Sequence, residues 1–298
     1  MNRFSVLTGY GFDQNGPYIE VDWHSGHQIE RKKRHLNGLT FSIRAFDDRY
    51  CTGSFDLESL SGSPCPDNSK IENSSNSSCY SCFDRTGFNP SFYHMAKSDI
   101  SSQQRAYNNT AHAVYLAYFT EGLIKVGISS ERRKEVRWVE QGARAVAHIL
   151  SCENAYEARH NEELISKELK LPEVVLGKKK RSILTYEIDA DKARNSLETL
   201  IGRIQEQLGL ALHTDRIFLK DSVYNPYTVP LSQNIIDLSE EKEKKISGSF
   251  LALFGDILVV HNDGKQFMYS LKKIIGLKIE FSEGEEKLDF QPQQITLF

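Results

Sequence analysis

Two apolar runs separated by a tight turn constrain this chain more than any other feature. Residues 113–119 read AVYLAYF and residues 123–129 read LIKVGIS, with Thr120, Glu121 and Gly122 between them. Short apolar runs joined by turn formers predict a β-hairpin. A charged segment with helical spacing, a third apolar run (AVAHIL) and a second helical segment follow. The stretch from His112 to Leu169 is therefore predicted to fold as strand, strand, helix, strand, helix.

This order of elements resembles the GIY-YIG endonuclease superfamily, whose two signature strands carry those triplets in a small antiparallel sheet. The triplets here are residues 113–115 (AVY) and 125–127 (KVG), followed by one helix with Arg137 and another with Glu157. The resemblance covers about one fifth of the chain and is closest to a divergent branch with a cysteine-rich region before the hairpin. It implies a three-stranded antiparallel sheet flanked by helices and Mg²⁺- or Mn²⁺-dependent hydrolysis of DNA phosphodiester bonds.

The resemblance implies a role for each matching position. Tyr115 would position or deprotonate the attacking water, and Arg137 would hold two phosphate oxygens at once. Lys125 stands where the family has its second Tyr; it can neutralise phosphate charge, but it does not make the same hydrogen bonds. Gln141, one helical turn after Arg137, stands where some members carry Tyr or His, and it can orient a water. These two departures put turnover in question without removing nucleic-acid binding.

Glu157 is the carboxylate that the resemblance implies as the Mg²⁺ ligand, with waters and phosphate oxygens completing the shell. Asn154 can cap the same helix, which places Glu157 at the third helical position, where it would close a capping box and need no metal. Both roles remain open. Glu162, five residues further along the helix, is the next candidate.

Four cysteines precede the hairpin. Thirteen residues separate Cys51 from Cys65 and Cys65 from Cys79, and two separate Cys79 from Cys82. A CxxC turn lets two thiolates reach one Zn²⁺, so we expect a structural four-cysteine zinc site; buried or free thiols are the alternative. His94 is a possible substitute ligand.

The net charge of −3, from 37 basic and 40 acidic residues, does not by itself indicate a nucleic-acid partner. Basic side chains are nevertheless clustered in three runs, at residues 31–34, 132–134 and 178–181. One basic face can bind phosphate in a protein that is acidic overall, although each run can also be ordinary solvated surface. We predict that the following side chains contact DNA: Arg132, Arg133, Lys134 and Arg144.

No apolar run approaches the length of a membrane span, and the first residues do not have a cationic head followed by an apolar core. We therefore expect a cytoplasmic protein without a membrane partner.

The flanking regions are predicted to be rich in β-structure. Residues 1–50 alternate apolar and polar positions in FSVLTGY, GPYIEVDW and GLTFSIRAF. After a strand at ILTYEID and a helix over residues 191–208, the segments SFLALF, DILVVH, KQFMYS and LKIEFS are separated by turn formers. Such closely spaced short strands predict a small β-barrel-like module.

The last five residues, QITLF, resemble the pentapeptide with which bacterial polymerases and repair factors bind the DNA sliding clamp. A free tail can place two apolar side chains in a pocket while a Gln makes the polar contact. A terminal edge strand is the alternative. The predicted clamp contacts are Gln294, Ile295, Leu297 and Phe298.

These features together predict an α+β protein in five parts: a β-rich zinc-binding region (1–110), a GIY-YIG-like domain (111–215), a linker (216–246), a small β module (247–290) and a clamp-binding tail (291–298). The expected function is Mg²⁺-dependent cleavage of DNA, with single-stranded or branched DNA favoured, in repair, replication or defence. The alternative is a zinc-containing nucleic-acid-binding adaptor with the same fold and a lapsed catalytic centre.

Overall fold

The described part of the protein has an α+β fold with one large sheet, one small sheet, a separate two-stranded hairpin and several helices. The computed structural model describes residues 3–26, 28–72, 77–186, 188–213, 216–217 and 231–288. Within these residues, none of the helices is long and apolar enough to cross a membrane.

In the described residues the large sheet contains nine strands. They are β1 (Arg3–Asp13), β2 (Gly16–Ser25), β3 (Gln28–His35), β4 (Thr40–Arg49), β11 (Ile236–Asp237), β12 (Lys245–Phe254), β13 (Ile257–Asn262), β14 (Lys265–Ser270) and β15 (Leu277–Glu283). Their order across the sheet is β11-β14-β13-β12-β4-β15-β1-β2-β3. Neighbouring strands are antiparallel except β11 and β14, which are parallel.

Strands from the two ends of the described chain share this sheet, so the prediction of a separate C-terminal β-barrel-like module is wrong. β4 lies between β12 and β15, with Ser42 opposite both Ser247 and Ser282. Apolar side chains from both groups of strands form one core, including Leu7 and Phe41 from the first group and Leu253 and Ile279 from the second. In the described residues the sheet is open, with β3 and β11 at its edges. β11 also shows that part of the predicted linker belongs to the sheet.

A compact segment between β4 and the hairpin contains the cysteines. It is formed by β5 (Ser54–Asp56), β6 (Ser61–Ser63), α1 (Tyr80–Thr86) and α2 (Ser102–Asn108). Arg31 on β3 binds both carboxylate oxygens of Asp22 at 2.7 and 2.9 Å and donates 2.7 Å to the carbonyl of Thr52. This arginine therefore fixes the cysteine-bearing segment to the large sheet.

The predicted hairpin is present and forms one side of an antiparallel sheet, which in the described residues has four strands in the order β10-β9-β7-β8 in place of the expected three. Its strands are β7 (His112–Thr120), β8 (Leu123–Ser130), β9 (Ala145–Cys152) and β10 (Arg216–Ile217). Gly122 in the turn has a positive φ of 73°, a conformation that glycine adopts without steric cost.

Helices cover both faces of β7, which explains why its side chains are buried almost throughout. Val114, Leu116 and Tyr118 face one apolar cluster, whereas Tyr115 and Phe119 face another, as the two-residue period of a strand requires. The first cluster includes side chains of α4 (Ala155–Leu169) and α6 (Ala190–Leu208). The second includes Trp138 of α3 (Lys134–Glu140) and Ile183, which follows α5 (Gly177–Ser182).

The predicted helices in this region are confirmed, but the expected strand at ILTYEID is wrong. The basic segment before it forms α5, and residues 183–186 form a turn. Ile183 and Leu184 are buried in the cores of the small and large sheets, respectively. Their apolar character therefore reflects packing between the two sheets and not pairing in a ladder.

Candidate functional site

The four predicted cysteine ligands lie together. The sulfur atoms of Cys51, Cys65, Cys79 and Cys82 all lie within 4.8 Å of one another, and His94 is not part of this cluster. Cys79 caps the N-terminus of α1, and Cys82 lies in its first turn, so a short helix presents the CxxC pair. The described cysteines form no disulfide.

The dimensions of this cluster suit a tetrahedral metal. Four thiolates about 2.3 Å from a zinc ion would be about 3.8 Å apart, and the sulfurs of Cys65 and Cys79 are 3.9 Å apart. Burial raises the pKa of the Cys51 thiol to about 11, and the backbone amides of Gly53 and Cys79, which donate to its sulfur at 3.3 and 3.2 Å, oppose this shift. The four thiols can therefore hold a zinc ion, and the prediction of this ligand set fits the geometry.

A cleft of about 470 Å³ opens beside the hairpin, between β7, β8, α3 and α4. We call it the candidate cleft. One wall carries aromatic side chains of the segment before the hairpin, Phe88, Phe92 and Tyr107. Its polar lining consists mainly of the following side chains: Tyr115, Lys125, Arg137, Arg159, Glu162 and Glu173.

Tyr115 is fixed at the bottom of the cleft by contacts on three sides. Its hydroxyl accepts a 2.6 Å hydrogen bond from Nε2 of Gln141, and its ring meets Trp138 edge-on at 5.9 Å. Gly127 lies directly opposite on β8, and a Cβ atom there would be 2.7 Å from the tyrosine oxygen. Burial raises the pKa of Tyr115, although the positive charge of Arg137 opposes the shift.

Glu162 on α4 is the buried carboxylate of the candidate cleft. Its Oε2 accepts a 2.6 Å hydrogen bond from Arg159. The same arginine also donates hydrogen bonds to Glu173, at 2.8 Å, and to the hydroxyl of Tyr93, at 3.1 Å. Burial raises the pKa of Glu162 in spite of its arginine partner. Among the described residues, no hydrogen bond reaches Oε1 of this glutamate.

Lys125 on β8 reaches into the same cleft from the opposite side. Its ammonium group donates 3.1 Å to the backbone carbonyl of Glu173. Burial and the charge of Arg137 lower the pKa of Lys125 to about 8, while Glu162 opposes the shift. Lys125 is therefore still mainly charged at neutral pH and is held close to a carboxylate and a guanidinium group.

A second cleft of about 340 Å³ adjoins the first and shares Lys125, Arg133 and Arg137 with it. Gln141 and Lys180 lie here. Burial lowers the pKa of Lys180 to about 8, and its ammonium group donates 2.7 Å to the carbonyl of Gln141. Lys180 thus ties α5 to the end of α3, beside the glutamine that holds Tyr115.

A family model described as "Protein of unknown function (DUF2797)" matches residues 38–279. The chain belongs to the DUF2797 family. The matched stretch contains all four clustered cysteines and the whole candidate cleft. Comparisons with curated proteins and with solved structures give no match.

In this DUF2797 protein Glu157 is exposed and takes part in the N-terminal cap of α4, as in a capping box but with the amide one residue before the N-cap as the donor to its side chain. Its backbone amide donates to Oδ1 of Asn154 at 2.9 Å, and its Oε2 accepts from the amide of Glu153 at 2.9 Å. The residue does not line the candidate cleft. Glu157 therefore acts as a helix-capping residue, and Glu162 is the glutamate of α4 that lines the candidate cleft.

The predicted basic contacts of the DUF2797 chain divide into three groups. Arg132 and Arg133 line a large cleft beside the cysteine segment. Lys134 pairs with Glu131 at 2.6 Å and lines none of these clefts. Arg144 is buried and donates to the carbonyl of Tyr186, so its charged group is less accessible to DNA than those of the other three. The predicted clamp contacts at residues 294, 295, 297 and 298 lie outside the described residues.

The burial of Glu162 could have been predicted from the spacing of apolar residues along α4. Ala158, Glu162, Ile165 and Leu169 recur at intervals of four, three and four, so the glutamate lies within the apolar stripe of α4. A carboxylate at such a position is buried and needs a partner, which Arg159 supplies from one turn earlier. No comparable pattern distinguishes Lys180 from the two lysines before it.

Proposed function

We propose that this protein is a divalent-metal-dependent endonuclease of the GIY-YIG type that hydrolyses phosphodiester bonds of DNA in the candidate cleft. One observation carries the proposal: Tyr115, Lys125, Arg137 and Glu162 line a single cleft beside the hairpin. These side chains supply an oxygen for a water molecule, two cations for phosphate charge and a carboxylate for a metal ion.

Each side chain has a defined part in the proposed reaction. Tyr115 holds the attacking water, because the amide of Gln141 occupies one lone pair of its oxygen and leaves its hydroxyl hydrogen free to turn towards the cleft. Arg137 is exposed at the rim and binds two oxygens of the phosphate. Lys125 neutralises charge on the phosphate from below.

Glu162 is the carboxylate that we assign to the metal ion, in place of Glu157. A Mg²⁺ ion commonly keeps several waters and uses one or two protein carboxylates, so a single buried glutamate is a sufficient anchor. Arg159 engages only Oε2, which leaves Oε1 for the cation. The bound ion would polarise the phosphate and its waters.

The two glutamates of α4 provide a matched test. We expect Glu162→Gln to reduce Mg²⁺- or Mn²⁺-dependent cleavage of single-stranded, branched or duplex DNA by about 100-fold or more. Glutamine can still accept a hydrogen bond from Arg159, so the fold is kept. Glu157→Gln, on the same helix but outside the cleft, keeps wild-type cleavage. Equal activity of the two variants would refute the assignment of Glu162.

A non-catalytic nucleic-acid-binding adaptor is the second candidate. It is favoured by the ion pair between Arg159 and Glu162 and by Lys125 at the position of the family's second Tyr. In the same assay, the adaptor function predicts intact DNA binding by the wild type without cleavage in either metal.

We also propose that the last five residues recruit the protein to the DNA sliding clamp. Deleting Leu297 and Phe298 should abolish pulldown of the clamp and leave cleavage of short oligonucleotides unchanged, because the tail is remote in sequence from the candidate cleft. Clamp binding by the deletion variant would disprove this role.

A further inference from the structure

A larger cleft of about 790 Å³ continues from the candidate cleft towards the cysteine cluster. It lies between β1, β2, β3, the β5–β6 hairpin, α1 and α3, and we call it the cysteine-side groove. The 340 Å³ cleft connects the two: it shares Arg133 with both, Arg137 with the candidate cleft, and Tyr10 and Glu140 with the cysteine-side groove. The three clefts therefore lie side by side between Glu162 and α1, and together we call them the channel.

The charged lining of the cysteine-side groove has an excess of cations. Four of its charged side chains are basic and two are acidic: Arg31, Lys33, Arg132, Arg133, Glu20 and Glu140. Arg31 is committed to Asp22. Arg132 and Lys33 are exposed, and Arg133 is half-buried. Arg132 donates a 3.0 Å hydrogen bond to the carbonyl of Glu58, and Lys33 pairs with Asp13 at 3.3 Å, so both keep most of their charge at the surface. These cations suit an anionic ligand, and the existing pair of Arg133 with Glu140 at 2.8 Å can exchange for a phosphate contact.

An exposed aromatic side chain stands at the wall of this groove. Phe83 on α1 lines the groove and is 58% exposed, and Tyr80 on the same helix is 82% exposed. The N-terminal end of this short helix carries Cys79 and Cys82, so the cysteine cluster holds its backbone in place. Phe83 therefore offers a preorganised flat surface next to phosphate-binding cations.

Small residues make up much of the rest of the lining and leave the groove open to a polymer. Gly53, Ser54, Ser61, Gly62 and Ser78 present backbone groups and hydroxyls without large side chains. A sugar–phosphate chain needs such width and such hydrogen-bonding groups along its course.

We propose that the cysteine-side groove binds single-stranded nucleic acid, with unpaired bases stacking on Phe83 and phosphates contacting Arg132, Arg133 and Lys33. Stacking on an aromatic side chain requires an unpaired base, whereas a duplex presents only phosphates and groove edges at its surface. The groove would place the bound strand so that it continues into the candidate cleft. Only this continuation rests on the proposed nuclease function; binding in the groove does not.

Binding of a fluorescein-labelled oligothymidine of about twenty nucleotides tests the groove, with fluorescence anisotropy as the measurement and no added Mg²⁺. Phe83→Ala should raise the dissociation constant by about five-fold or more, which corresponds to about 1 kcal/mol, the lower limit of the free energy lost with one stacked base. Tyr186→Ala removes an aromatic side chain of similar exposure, 53%, outside the channel and should leave affinity unchanged.

Two further measurements identify the contact as stacking and the cations as phosphate ligands. Phe83→Trp should bind like the wild type and show fluorescence quenching of the new indole by the oligonucleotide. Arg132→Gln should reduce the slope of log affinity against log salt by about 0.7, the value for one phosphate of a single strand. Lys192→Gln, an exposed cation on α6, should not change that slope.

Equal affinity of the wild type, Phe83→Ala and Tyr186→Ala would overturn the proposal. An equal loss of affinity for a duplex of the same length on Phe83→Ala would overturn the single-strand assignment. The nuclease function can fail separately. If the wild type binds the oligonucleotide but does not cleave DNA, the proposed groove stands and the proposed nuclease function falls. If the wild type cleaves DNA and Phe83→Ala binds as tightly as the wild type, only the proposed groove falls.

Discussion

The hydroxyl of Tyr115 on β7 accepts a 2.6 Å hydrogen bond from the side-chain amide of Gln141 at the end of α3. Both side chains are buried, and the same amide also donates 3.1 Å to the carbonyl of Arg137. The glutamine thus connects the residue proposed to hold water to the backbone of the residue proposed to hold phosphate. Its position in the sequence had suggested only that it could orient a water.

Tyr115→Phe removes the acceptor of this bond without changing the shape of the ring. We expect the free energy of unfolding to fall by about 1 kcal/mol and cleavage to fall by about 100-fold. Tyr118 is a matched control, because it is buried on the opposite face of the same strand. Urea unfolding and cleavage should both be near wild type for Tyr118→Phe. A fully active Tyr115→Phe would remove this tyrosine from the mechanism.

Gly127 faces the ring of Tyr115 across the hairpin, so Gly127→Ala tests how closely the site is packed. The added methyl group would lie 2.7 Å from the tyrosine oxygen, and we expect a loss of about 1–3 kcal/mol in unfolding free energy. Gly202→Ala is the contrasting change, since nothing lies within 4 Å of a Cβ there and the residue is inside α6. It should stabilise the protein by about 0.5–1 kcal/mol. Calorimetry of both variants should show a lower melting temperature for Gly127→Ala and a higher one for Gly202→Ala than for the wild type.

The lowered pKa of Lys125 predicts a pH-dependent stability. Its pKa is about 8 in the folded protein, below its ordinary value of 10.5, so the unfolded chain binds more protons between these limits. The contribution of this group to stability therefore rises as the pH rises through that window. Arg137 and Lys180 favour the neutral amine, and Glu162 and Glu173 favour the charged form.

Lys125→Met should accordingly raise the free energy of unfolding at pH 7 by about 1–3 kcal/mol, because it removes the cost of a buried charge. The advantage over wild type should shrink towards zero between pH 8 and pH 10.5. Urea unfolding at pH 7 and at higher pH measures the difference. Lys192→Met, on the exposed surface of α6, should show no such trend, and a similar trend there would contradict the explanation.

The cysteine cluster predicts about one bound zinc per chain in protein purified without chelators. Cys82→Ser should lose the metal and destabilise α1, because the helix is held through its two cysteines. Cys152→Ser provides the control, since this buried cysteine lies outside the cluster. Metal analysis below about half an equivalent in the wild type would reject the site.

Local patterns in the sequence predicted the local structure. The hairpin, the helices with Arg137 and Glu157, and the four grouped cysteines all follow from spacing within a few tens of residues. The capping of α4 by Asn154 could also be predicted from the sequence, and the structure contains the hydrogen bond from the amide of Glu157 to Oδ1 of Asn154. The return bond differs from a capping box, because Oε2 of Glu157 accepts from the amide of Glu153, one residue before the N-cap.

Long-range pairing could not be predicted in the same way. An alternating strand pattern shows which side chains share a face, but it does not identify the neighbouring strand. For this reason Ser42 could not be placed opposite Ser247, and the C-terminal strands appeared to be a separate module. The burial of Arg144 and the partial burial of Lys180 have the same origin, because both lie where the two sheets meet.

The position of β4 has a consequence for synthesis of the protein. Both of its neighbours, β12 and β15, are translated about 200 residues later, so β4 has two unpaired edges on the ribosome, a state that favours aggregation. The small sheet needs only strands from residues 112–217 and can form earlier. We therefore expect the candidate cleft to acquire its hairpin and α4 during translation, and β4 to depend on chaperones until β12 and β15 emerge.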